Sequence, residues 1–142
     1  MTISQLSVFV ENKQGSMSGI VEVLAEAGID IRAITIADTT DFGILRLIVR
    51  NPEIAKKVLQ EKDFVVTINQ VIGIDVPDKV GGLARVLRIL DDAMINIEDM
   101  YDFLAIKEEK VYIIIRVENN AKTVELLEKN GIRCIGDSDI VF

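Results

Sequence analysis

The sequence predicts an α+β protein: one βαββαβ unit written twice, with antiparallel sheets and helices on one face. Three observations predict it. The stretch QLSVFVENKQGSMSGIVEVLAEAGIDI, which starts at Gln5, returns as VIGIDVPDKVGGLARVLRILDDAMINI from Val71. A slide of 66 residues puts Asn12 on Asp78, Lys13 on Lys79, Gly15 on Gly81, Leu24 on Leu90, Ile29 on Ile95, Asp30 on Asn96 and Ile31 on Ile97. In both copies the apolar pattern changes from strand-like to helical at a polar loop marked by glycine. Such self-similarity decides the architecture before any single element does.

Residues 3–10 form the first strand, rich in β-branched and aromatic side chains. Leu6, Val8 and Val10 lie on one parity and Ile3 and Phe9 on the other. A sheet with one open face alternates more cleanly, so part of the second face is expected to be covered. Residues 11–16, ENKQGS, are a loop, with Ser16 as the expected helix cap. A helix follows over residues 17–27; Met17, Ile20, Val21 and Leu24 make its apolar stripe, and Gly28 stands just past its end. Residues 29–37 are a strand, 38–43 (DTTDFG) a turn and 44–50 the returning strand. Asn51 caps a second helix with Pro52 in its first position, and Ile54, Val58 and Leu59 face inward. Residues 64–68 close the unit.

The second copy repeats this order. Residues 71–76 are a strand, 77–82 the loop, and 83–94 a helix with Leu83, Val86, Leu87 and Leu90 as its stripe. Residues 95–105 are a strand, 107–110 a charged turn and 111–117 the returning strand. A helix spans 121–130 with Gly131 after it, 132–135 is a strand, and 140–142 add a final piece. The domains are thus 1–70 and 71–142, with a soft boundary near Gln70. The β-α-β-β-α-β order is the split βαβ, or ferredoxin-like, unit. Each helix has a single stripe to bury, so both helices of a unit lie on one face of its sheet. Units of about 70 residues bury only a modest core, so the two are expected to pack on each other.

Composition excludes several function classes. The net charge is -7, which opposes nucleic acid and anionic membrane surfaces as partners. Histidine is absent, which removes Ser-His-Asp and Cys-His catalysis and His-ligated zinc. The single cysteine, Cys134, cannot form an intrachain disulfide; it reads as a small core residue in a reduced, cytoplasmic protein. The first residues lack the features of a signal peptide, and no apolar run approaches the ~20 residues that span a bilayer. No catalytic residue, metal site or cofactor is expected.

The repeated segment, strand then [Asn/Asp]-Lys-x-Gly then amphipathic helix then [Gly/Met]-Ile-[Asp/Asn]-Ile, resembles the ACT domain family over both halves of the chain. VPDKVGGLARVLRILDDAMINI follows the family pattern closely; ENKQGSMSGIVEVLAEAGIDI is looser, with Asn12 at the usual aspartate and no proline. The resemblance implies a stand-alone tandem of regulatory domains that binds amino acids where two domains meet, as a homodimer acting on a partner enzyme. It implies loop residues Asn12, Gly15, Ser16 and Met17, and Asp78, Gly81, Gly82 and Leu83. It also implies Asp30 and Ile31, and Asn96 and Ile97, as the strand of a neighbouring domain that completes each pocket. The chemistry agrees: glycine lets backbone approach a ligand, helix-start N–H groups attract a carboxylate, and Asp78, Asn12, Asp30 or Asn96 can accept from an ammonium. The alternative for each residue is structural, Gly81-Gly82 making a turn and Asp78 capping a helix.

Other features favour structural readings. Asp38 to Gly43 lacks the spacing and closing Glu of a calcium loop, so a hairpin turn is expected. Asp91-Asp92, and Asp137 with Asp139, read as solvated surface. Met100, Tyr101 and Phe103 fit either an apolar pocket or the core. A tandem adaptor that has lost its ligand is the competing function, and acid–base catalysis by the carboxylates with Lys79 a third.

Overall fold

The computed structural model describes residues 1–38, 41–104 and 110–142. Among these residues the order is β1 (Ile3–Glu11), α1 (Ser16–Glu26), β2 (Ile31–Asp38), β3 (Phe42–Val49), α2 (Pro52–Glu61) and β4 (Val66–Pro77). There follow α3 (Gly82–Asp92), β5 (Asp99–Leu104), β6 (Lys110–Arg116), α4 (Asn120–Lys129), β7 (Cys134–Ile135) and a 3-10 turn (Asp137–Asp139). The chain divides into two compact units. The first holds residues 4–69 with Phe142, the second Met1–Ile3 with residues 70–141.

In the first unit β2, β3, β1 and β4 lie side by side in that order. In the second the order is β5, β6, β4, β7. Numbered within its own unit, each sheet runs 2-3-1-4, and the paired strands are antiparallel. The two strands expected at 64–68 and 71–76 are in fact one, β4. Nothing breaks it: the segment is rich in β-branched residues and has no proline before Pro77.

Strand alternation places each core. Leu6, Val8 and Val10 of β1 and Leu45, Leu47 and Val49 of β3 share a cluster with Ile20 and Leu24 of α1 and Ala55 and Leu59 of α2. Both helices therefore cover the same sheet face. The second unit repeats this with Ile72, Ile74 and Val76, Ile113 and Ile115, Val86 and Leu90, and Leu127. Each such aliphatic side chain contributes about 1.5–3 kcal/mol by burial. Four stripe residues fall outside: Val21 and Leu87, in whose place Val23 and Ile89 pack on the cores, and Ile54 and Met17. Ile54 is exposed and Ala55 buried in its place, because the inward arc of α2 centres on positions 55 and 59. Met17 is half exposed, at the mouth of a cleft described below.

All four helices end with the same pair of crossed bonds. In α1 the N–H of Gly28 donates to Ala25 O (3.0 Å) and that of Ile29 to Leu24 O (2.9 Å). In α3 Met94 donates to Asp91 O (2.9 Å) and Ile95 to Leu90 O (2.9 Å). This Schellman geometry needs a left-handed residue. Gly28 (φ 69) and Gly131 (φ 76) supply it in α1 and α4, but Asp63 (φ 66) and Met94 (φ 59) do so in α2 and α3. Met94 is 93% exposed, so its side chain offers no burial to offset the strain. Met94→Gly should therefore raise stability by about 0.5–1 kcal/mol, the left-handed penalty less the entropy of glycine. Chemical denaturation checks this; unchanged or lower stability would refute it.

The remaining differences lie at chain ends and turns. The strand expected from Ile95 starts at Asp99, after the cap of α3 has run through Ile95. Residues 140–142 form no strand; Gly136 N–H donates to Asp139 Oδ2 (2.8 Å), closing the 3-10 turn instead. Asp139 also meets Arg133 at 3.0 Å, and Asp75 sits between Arg133 (3.4 Å) and Lys110 (3.2 Å). The tip of the DTTDFG turn and most of the charged turn at 107–110 lie outside the described residues.

Candidate functional site

Three backbone hydrogen bonds recur in both glycine loops, matching bond for bond at the 66-residue offset, and the first loop adds Asn12 N–H to Asp41 O (2.9 Å). In the first loop Lys13 N–H donates to Glu11 O (2.9 Å), Ser16 to Lys13 O (3.3 Å) and Gly19 to Gly15 O (3.1 Å). In the second Lys79 donates to Pro77 O (2.8 Å), Gly82 to Lys79 O (3.1 Å) and Arg85 to Gly81 O (3.1 Å).

Gly15 and Gly81 are the helix N-caps, at φ 86 and 88, and neither α1 nor α3 has a side-chain cap bond. Ser16 is thus not the cap: the left-handed turn at Gly15 brings it into the first helical position. Glycine has no side-chain oxygen to accept from the first turn. The N–H groups of Met17 and Ser18, and of Leu83 and Ala84, find no acceptor among the described residues. Such donors at a helix start favour an anionic group.

A cleft opens beside each loop. In the first unit a space of about 310 Å³ is lined by residues that include Glu11, Asn12, Lys13, Gly15, Ser16, Met17 and Ile36. The structure thus brings together all four predicted loop residues of this unit. No local sequence pattern singles out Ile36. It pairs with Leu45 across the edge of the sheet, which sets it on the helix-covered face, opposite the loop. In the second unit a space of about 420 Å³ is lined by Pro77, Asp78, Lys79, Leu83, Met100, Tyr101 and Asp102. Asp102 pairs with Ile113 and is the counterpart of Ile36. The offset that reveals the repeat, applied along the edge strands, finds both.

Two predicted residues have another setting. Gly82 is buried, and a Cβ there would lie 2.6 Å from Pro77 O. What approaches Gly82 closely is its own loop. Gly81 is different: a Cβ would meet open space, and only its positive φ demands glycine.

The predicted partner-strand residues lie away from the loop of their own unit. Ile31 pairs with Val49, whereas Glu11 at the loop pairs with Phe42. That separates the two ends of β3 by about 23 Å at about 3.3 Å per residue. Asp30 is exposed, accepts from Arg50 N–H (3.0 Å) and stands 3.8 Å from Arg32 Nη2, while Ile31 packs against the core. Asn96 and Ile97 line a different space, of about 510 Å³, with Leu87, Arg88 and Asp91 of α3. Of the aromatic residues after them, Tyr101 reaches the loop cleft, while Phe103 packs edge-on against Tyr112 at 5.4 Å.

Electrostatically the clefts differ. Lys13 Nζ pairs with Glu11 Oε2 at 3.1 Å. Proline occupies the corresponding position 77, so Lys79 has no such partner there. Cys134 is 2% exposed, and burial, with the nearby Glu128 carboxylate, pushes its thiol up to about 11. It stays a neutral thiol at pH 7, a poor nucleophile. No helix of the described residues is long and apolar enough to cross a membrane.

Two βαββαβ units, each with a glycine-capped helix start beside an open cleft, define a tandem ferredoxin-like protein. The chain belongs to the ACT domain family: the model of an ACT domain pair matches residues 1–142. A crystallised protein from Bacteroides thetaiotaomicron is similar at 40% identity and a TM-score of 0.91, over 98% of this chain and 95% of that one. The regulatory subunit of aspartate kinase from Thermus thermophilus, in its ligand-free form, shares the fold at 16% identity and a TM-score of 0.62, over 89% and 91% of the chains. The aspartokinase alpha and beta subunits share it at 19% and 0.60, over 89% and 90%. No curated protein matches the sequence.

Proposed function

We propose that the protein is a non-catalytic sensor that binds amino acids at its glycine loops and regulates amino-acid metabolism, as a cytoplasmic homodimer acting on a partner enzyme. The observation that carries the reading is the doubled loop: the same three bonds, the same left-handed cap and open N–H donors, each beside a cleft with polar side chains. A zwitterion needs both an anion site and an ammonium acceptor. The helix start serves the carboxylate, and Asp78 or Asn12 the ammonium. Membership of the ACT family supports the regulatory role. The absence of histidine and the buried neutral thiol of Cys134 support a protein without catalysis.

A thermal-shift screen of the full chain against the twenty amino acids tests it. A specific ligand at about 100 times its Kd adds roughly 2.7 kcal/mol of stability. Asp78 is exposed and makes no hydrogen bond or ion pair among the described residues. Asp78→Ala should therefore leave the free protein's stability within about 0.5 kcal/mol of wild type while weakening ligand binding at that loop about tenfold. Gly81→Val is a poorer probe, since valine at φ 88 strains the loop with or without ligand.

A second reading, a tandem adaptor without a ligand, is favoured by the half-exposed apolar side chains of Met17, Ile34, Ile36 and Phe42 in the first unit. A screen in which no amino acid shifts the transition would favour it over the sensor.

A further inference from the structure

The two loop clefts share a backbone but not a charge pattern, and the difference names the ligand class of each. This inference rests on the reading of the loops as amino-acid sites. Among the described residues the charged ones lining the first cleft are Glu11 and Lys13, which pair at 3.1 Å. The wall facing the loop is Ile36, 44% exposed, with Met17 beside the same opening at 47%. Among the described residues the charged ones lining the second cleft are Asp78, Lys79 and Asp102, two carboxylates and one ammonium. None of these three side chains has a hydrogen bond or ion pair among the described residues. Pro77 stands where Glu11 would have balanced the lysine, and Asp102 stands where Ile36 closes the first cleft.

We propose that the second cleft takes an amino acid with a cationic side chain and the first one with a neutral, apolar side chain, the pair Asp102/Ile36 making the choice. The common part of the ligand is held alike in both: its carboxylate on the helix-start N–H groups, assisted in the second cleft by Lys79, and its ammonium on Asp78 or Asn12. With those partners engaged, Asp102 is the carboxylate left over, on the strand that faces the loop. It complements a third charge at the far end of the ligand. Ile36 offers that end only apolar surface, so a cation there would lose hydration without gaining a partner. At an exposed site one such charge pair is worth about two- to fivefold in affinity at low salt.

Nitrogen–proton NMR titration of the full chain with L-lysine and with L-norleucine, which has the same carbon chain without the ammonium, tests the assignment. L-Lysine is expected to move the amide signals of residues 79–84 with about two- to fivefold better affinity than L-norleucine at low salt. L-Norleucine should have the better affinity at residues 13–18. Asp102→Asn should abolish the preference for lysine at the second loop, and Ile36→Asp should create one at the first. Equal affinities of the two ligands at residues 79–84, or a lysine preference that survives Asp102→Asn, would overturn the inference while leaving the sensor reading intact. If no amino acid moves either loop, both fail together.

Discussion

Gly82→Ala lowers the stability of the second unit by about 1–3 kcal/mol and removes the response of its loop to amino acids. The cause is a backbone contact. A Cβ at position 82 would lie 2.6 Å from Pro77 O and 3.3 Å from Val76 Cγ1. Real side-chain carbons do not approach an oxygen so closely, and a carbonyl cannot swing aside like a side-chain end. Pro77 O also accepts the N–H of Lys79 at 2.8 Å, the bond that turns the chain into the loop. Moving that carbonyl displaces Lys79 and Asp78 together, and with them the charged wall of the cleft. The first loop supplies the control. Ser16, at the corresponding position, already carries a Cβ, and its loop keeps the same three bonds with a longer Ser16-to-Lys13 bond of 3.3 Å. Ser16→Gly should thus cost under about 1 kcal/mol, the ordinary glycine penalty at a helix start. Chemical denaturation with and without the amino acid found in the screen measures both effects. A Gly82→Ala protein of wild-type stability would show that the loop relaxes freely.

What the sequence made legible follows from how locally each feature is encoded. The repeat at 66 residues needs only identity and hydropathy, so the two units and their helix-on-one-face arrangement could be read directly, as the shared cores of Leu6 with Ile20 and of Ile72 with Val86 attest. The family resemblance lay in the same residues. Less legible was anything set by strand register. Ile36 and Asp102 enter the clefts because they pair with Leu45 and Ile113, and no local pattern around position 36 or 102 announces that pairing. The merging of two strands into β4 was hidden because β propensity is high throughout and no signal marks where one unit ends. Left-handed caps at Asp63 and Met94 are not legible because glycine is the local signal for them, and there the fold imposes the conformation on other residues. In the sequence Gly82 reads as room for a ligand. The close neighbour is a carbonyl five residues earlier, a distance that only the folded loop reveals.

A loss of stability of about 3 kcal/mol or more, or roughly a 10 °C fall in Tm, is expected from Gly73→Val. Gly73 lies within β4, flanked by Ile114 on β6 and Ile135 on β7. Glycine weakens a strand interior, so its presence there needs a reason. The reason is on the sheet face turned away from the helices. A Cβ on Gly73 would collide with Ile3 Cδ1 and lie 2.6 Å from Ile135 Cγ1. Both isoleucines are fully buried, as is Val71, so neither side chain has free volume to turn into. The corresponding residue of the first unit, Ser7, has a side chain that reaches Asn69 at 2.9 Å; its surroundings leave room that Gly73 does not have. A double-mutant cycle separates this clash from a general intolerance of the strand. Ile3→Ala alone should cost about 2–5 kcal/mol by leaving a cavity. Combined with Gly73→Ala it should cost less than the sum, by about 0.5–3 kcal/mol, because the new methyl group fills the space that Ile3 vacated. Strict additivity of the two changes would mean that Gly73 is needed for its backbone freedom and not for the packing of Ile3 against the sheet.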